Sequence, residues 1–129
     1  MRLFGFYSID PEELVVVAPP VVIKREWRVV VANNKVIAGS EYNNLSDDAW
    51  SGVQKLPEEV SQYAQGILDS VTKIGTVNRY YPDPVWTIDI CESETGLKVV
   101  EVGSFSCAGM FACDPEPIIA EVNRITEDR

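Results

Sequence analysis

The sequence predicts an α+β fold, a largely antiparallel sheet with two helices packed on one face. Two stretches of strand-like alternation flank the turn pair Asn33-Asn34, and two more flank Ser93-Glu-Thr-Gly96. Each pair is followed by a stretch whose apolar residues recur at helical spacing. The order strands, helix, strands, helix is that of a domain whose helices cover a sheet, and 129 residues suit one domain with a single core.

Taken in order, residues 14–17 and 21–23 read as short strands, edges or connectors, broken at Pro19-Pro20, because proline supplies no ladder donor. Residues 26–32 and 35–42 follow around Asn33-Asn34, and asparagine tolerates the positive φ of a two-residue hairpin turn. Residues 43–55 are polar and turn-rich. Pro57 then suits a first helical position, with Glu58 and Glu59 in the first turn. Val60, Ala64, Ile67, Leu68 and Val71 form one stripe, which marks a helix packed on a sheet. After Gly75, residues 78–84 form a proline-bearing connector. A second hairpin pairs Trp86-Thr-Ile-Asp-Ile-Cys-Glu92 with residues 97–105. The tail repeats the helix grammar, with Asp114 as cap, Pro115 in the first turn, and Ile118, Ile119, Val122 and Ile125 as the stripe.

Composition excludes several functions. A net charge of −9, from 20 acidic and 11 basic residues, argues against a nucleic-acid groove or an anionic membrane as partner. Any bound phosphate must meet a local basic group or a metal. No histidine is present, so serine–histidine and cysteine–histidine mechanisms are out. Cys91, Cys107 and Cys113 are an odd number in a chain showing no secretory leader, and read as ordinary thiols in a reduced cytoplasmic compartment. The apolar run 14–23 is shorter than the ~20 residues that span a bilayer and holds two prolines.

The chemistry gathers on the second hairpin. With the turn centred on Thr95, antiparallel pairing sets Asp89 opposite Glu101 on one face. Like charges so placed call for a shared proton, a basic side chain or a hard cation such as Mg²⁺; on an exposed face they would simply be solvated. On this register Thr87, Cys91 and Val99 share their face, and Gly103 and Ser104 leave space and a hydroxyl beside them. On the first hairpin, alternation sends Glu26, Arg28 and Val30 to one face. Arg28 among apolar neighbours needs an anion: a carboxylate such as Asp89, Glu26 or Glu41, or a phosphate. Tyr80, Tyr81 and Trp86 suit either the core and its rim or the lining of an adenine pocket.

The ordered set Val21-Val-Ile-Lys-Arg-Glu-Trp-Arg28, Gly39-Ser-Glu-Tyr42, a helix, Trp86-Thr-Ile-Asp-Ile-Cys91 and Val99-Val-Glu-Val-Gly-Ser-Phe-Ser-Cys-Ala-Gly109 resembles the C-terminal part of an ATP-grasp domain. It is similar to a small, often phage-associated group carrying a Glu-Trp-Arg strand, over most of the chain from about Ile9. The resemblance implies ATP and Mg²⁺ as cofactors, with Asp89 and Glu101 as the metal-holding acids of the last two strands. It implies that Arg28 faces the phosphates or an acyl-phosphate, with Glu26 beside it in the cofactor site. The implied reaction is ATP-dependent activation of a carboxylate for attack by an amine or thiol. Three departures accompany it. Glu101-Val-Gly103 stands where the family reads glutamate, any residue, asparagine; Thr87 stands where many members carry arginine; and the family's N-terminal half, with its lysine strand and glycine-rich flap, has no counterpart in residues 1–129. The expectation is therefore a single truncated ATP-grasp-like domain. It would either work with a second copy or a partner chain that supplies the rest, or serve as a non-catalytic binding or regulatory module.

Overall fold

The computed structural model describes residues 14–15, 17–42, 52–73 and 83–128, the side chains of 71–73 excepted. Strands β1 (Arg25–Ala32) and β2 (Lys35–Glu41) form the first hairpin, helix α1 (Glu58–Lys73) follows, and β3 (Val85–Ser93) and β4 (Gly96–Ser104) form the second. A 3-10 turn (Phe105–Cys107) leads to helix α2 (Pro115–Glu127). The pairings among these four strands are antiparallel and the sheet order is β2-β1-β3-β4, so the α+β class predicted from the sequence holds.

The first turn forms as predicted, Asn33 and Asn34 taking φ of 48° and 61°. The second differs by half a step. Its two turn residues are Glu94 and Thr95, Ser93 pairs with Gly96 at φ 103°, and Ser93 Oγ accepts from Thr95 N and donates to Gly96 O. That register would leave Asp89 opposite Val100. A bulge between the Asp89 and Ile90 pairs moves it one residue on, so Asp89 does face Glu101. The same bulge sets Val99 opposite Ile90, on the other face from Asp89, and Lys98 opposite Cys91. Val99 therefore does not share the carboxylate face, and Lys98 does.

The helices lie on opposite faces of the sheet, contrary to the expectation of one. Helix α1 sets Val60, Ala64 and Leu68 against Trp27, Val29, Val31, Trp86, Ile88 and Ile90. Helix α2 sets Ile118, with Val122 and Ile125, against Val30, Ala32, Val85 and Cys113. The cause is β1 itself: beyond Arg28 it is apolar at consecutive positions, so both of its faces need cover. Trp86 belongs to the α1 core.

Pro57 sits one residue before α1, its carbonyl accepting from Val60 N and Ser61 N. Asp114 caps α2 by accepting from Glu116 N at 3.0 Å, while Ile119 points outward at 57% exposure and leaves the predicted stripe. The described residues of 14–17 and 21–23 form no strand and are exposed, Leu14 at 98%. Both edges of β1 are already taken by β2 and β3, so no ladder is open to them beside it. Tyr80, Tyr81, the side chain of Val71 and most of residues 43–55 lie outside the described residues.

Candidate functional site

The α2 side of the sheet carries three consecutive rows of residues. Glu26, Cys91 and Lys98 form one, Arg28, Asp89 and Glu101 the next, and Val30, Thr87 and Gly103 the third. Thus Glu26, Arg28, Asp89 and Glu101, the four residues singled out from the sequence, lie together on one face. Strand alternation fixes three of them, and the β4 bulge brings in the fourth.

Arg28 and Asp89 make a buried, two-pronged ion pair. Arg28 Nε donates to Asp89 Oδ1 at 2.9 Å and a terminal nitrogen donates to Oδ2 at 2.6 Å, with the side chains 8% and 4% exposed. The same nitrogen donates to Tyr42 Oη at 3.1 Å, and the other donates to Gly109 O at 3.2 Å. The Tyr42 and Phe111 rings each lie 5.2 Å from the guanidinium carbon and 4.1 Å from one another. Of the anions open to Arg28, its fork takes Asp89; Glu41 instead holds Arg25 at 2.8 Å. The bond to Asp89 raises the Arg28 pKa, and burial opposes that rise.

Glu26 and Glu101 complete the charge balance. Glu101 is exposed and Glu26 half-buried. Burial, then the negative charges of Asp89 and Glu101, push the Glu26 carboxyl above its ordinary value, against a smaller pull from Arg28. Arg28 and the exposed Lys98 thus share the face with three acids. Carboxylate oxygens are the hard donors a magnesium ion takes, although among the described residues no three acids or cysteines converge into a ready metal cage.

Thr87 and Gly103, two of the positions singled out from the sequence, meet in one cross-strand pair. Thr87 lies opposite Gly103 and its hydroxyl donates to the Gly103 carbonyl at 3.3 Å. A Cβ at 103 would sit 3.2 Å from that hydroxyl oxygen, so a larger residue there requires Thr87 to yield.

Sequence reading missed Tyr42, Gly109 and Phe111 around Arg28, and Lys98 on the carboxylate face. Phe111 has a positive φ of 48° that no sequence signal marked. A shallow cleft of about 220 Å³ lies between the β2 edge and the starts of the helices, lined by Ala38, Gln54, Leu56 and Asp114 among others; none of the four predicted site residues lines it.

The family model described as ATP-grasp domain, R2K clade family 3, matches residues 6–122. No curated protein and no solved structure matches the chain.

Proposed function

Because the chain belongs to the ATP-grasp domains of R2K clade family 3, we propose that its carboxylate face is part of a magnesium–nucleotide site serving ATP-dependent carboxylate activation. The observation that carries this reading is the direct opposition of Asp89 and Glu101, with Glu26 held above its ordinary pKa beside them. Arg28 already answers Asp89 and Lys98 shares the face, so a further cation would meet the charge that Glu26 and Glu101 leave over.

In this reading Asp89 and Glu101 would hold Mg²⁺, which would supply neutralisation of phosphoryl charge, with Asp89 also keeping its bonds to Arg28. Arg28 orients Asp89 through its two bonds, and it reaches a phosphate only by exchanging Asp89 for it. Glu26 flanks the cofactor. A second copy or a partner chain supplies the rest of the clamp. The three free thiols suit a reducing compartment, and the proposal sets the protein in the cytoplasm, with no described helix long and apolar enough to cross a membrane.

A second reading, a non-catalytic module on the same fold, is favoured by the pairing of Thr87 with Gly103, the two positions where the resemblance leads one to expect, in many members, arginine and, usually, asparagine. Melting with and without ATP and Mg²⁺ tests the nucleotide site. Ligand at a hundred times its dissociation constant adds about 2.7 kcal/mol, several degrees for a domain this size. We expect that shift in the wild type and its loss in Glu101→Gln, an exposed position whose change leaves the core alone. No shift at millimolar nucleotide overturns the proposal. A shift without ADP formation, even with the partner present, leaves the binding module as the function.

A further inference from the structure

The two edges of the sheet are finished differently. On β2, glutamine side chains cap outward backbone groups: Gln65 Oε1 accepts from Val36 N at 3.1 Å and Gln54 Oε1 accepts from Glu41 N at 3.2 Å. On β4 no strand pairs with the outer edge among the described residues, and Lys98, Val99, Val100 and Glu101 are all exposed, the valines at 41% and 44%. An exposed edge is a template for another strand.

About its midpoint β4 is self-complementary. Gly96 mirrors Gly103, Leu97 mirrors Val102, Lys98 mirrors Glu101, and Val99 mirrors Val100. In a regular strand residues 98 and 101 would leave opposite faces, and the mirrored pairs could not meet. The bulge changes this: Lys98 opposite Cys91 and Glu101 opposite Asp89 share one face, while Leu97 and Val102 share the other, packed on the α1 core.

We infer that two copies of the chain join antiparallel through β4, about a two-fold axis between Val99 and Val100, and so double the four-stranded sheet. Lys98 of each copy then lies opposite Glu101 of the other, and the valines meet at the centre. A lysine and a bulge ordinarily keep an edge strand from pairing. The occupant must therefore meet Lys98 with a carboxylate and follow the bulge, and β4 of a second copy does both. The pairing also brings a cation from each copy beside the Asp89–Glu101 row of the other. The inference does not require the nucleotide reading, though both use Glu101; Lys98→Glu, which that reading does not involve, tells their failures apart.

Sedimentation velocity on the full chain, from about 1 to 300 µM near physiological salt, tests it. The expected result is a monomer–dimer equilibrium that Lys98→Glu or Glu101→Lys weakens about tenfold or more, since like charges would then lie opposite. The double variant K98E/E101K restores it. Both positions are exposed, and circular dichroism on each variant verifies that the fold is kept. A chain that stays monomeric throughout overturns the inference. So does a dimer indifferent to the single changes, which would mark another surface, or a double variant that fails to recover.

Discussion

Arg28 stands in a strand that otherwise reads as core, and its neighbours are what let it stay. Four hydrogen bonds and two aromatic rings enclose the guanidinium, so removing Asp89 would leave a buried cation unmatched, a loss of about 3–5 kcal/mol in such pairs. Alternation alone showed that Arg28 needed an anion. It could not show Tyr42, Gly109 or Phe111, because these come from segments 14 to more than 80 residues away and no local pattern encodes their convergence. Glu26 carries a pH dependence of opposite sign to that of a salt-bridged acid. Its folded pKa is raised, so the native state holds this proton more tightly than the unfolded chain. The stability it supports is full below the ordinary carboxylate value and falls as pH rises through the folded pKa. Glu26→Gln should remove that fall: urea melts from pH 4 to 7.5 should show the variant gaining on the wild type as pH rises. Parallel curves would refute the assignment.

At the scale of elements, the second hairpin shows how a wrong premise led to a right pairing. A turn centred on Thr95 gives Asp89 opposite Glu101; the chain turns between Glu94 and Thr95 and recovers the offset through a bulge. Bulges carry little sequence signal, so the partner of Asp89 was legible and the positions of Lys98 and Val99 were not. The helices were legible as elements from their stripes and caps. Their faces could have been read from the consecutive apolar run in β1, which needs cover on both sides. Residues 14–17 look like a strand by composition, yet strand propensity reflects a pleated, half-buried place in a sheet, and the described residues of this run are exposed and in no strand. Gly39 illustrates a different constraint within β2. A Cβ there would lie 2.8 Å from the Arg28 carbonyl oxygen and 2.8 Å from a Leu56 methyl. Since the first neighbour is backbone, Gly39→Ala should cost about 1–3 kcal/mol, with the loss read from the urea midpoint. A neutral result would mean that β2 can shift away from β1.

For the molecule as a whole, burial sorts the three thiols. Cys91 and Cys113 are buried and Cys107 is exposed. Burial also pushes the Cys113 thiol up, against smaller opposing effects from Ser40 and Arg28. A disulfide reagent at pH 8 should therefore modify one thiol per chain quickly in the native protein and the other two only on unfolding. Two fast thiols would contradict the packing of β3 or of the segment before α2. The meeting of β1 with β3 has a kinetic consequence. Each hairpin closes locally and can form in microseconds, but the seam between them joins residues 61 apart at the Arg28–Asp89 bond, with α1 between. The loop entropy of that closure must be met before the seam returns any contact energy, so substitutions at the seam are expected to slow folding, as stopped-flow refolding would read. The buried ion pair then acts as a register key, because sliding β3 by one residue would set Arg28 against Ile88 or Ile90 and leave its charge unanswered.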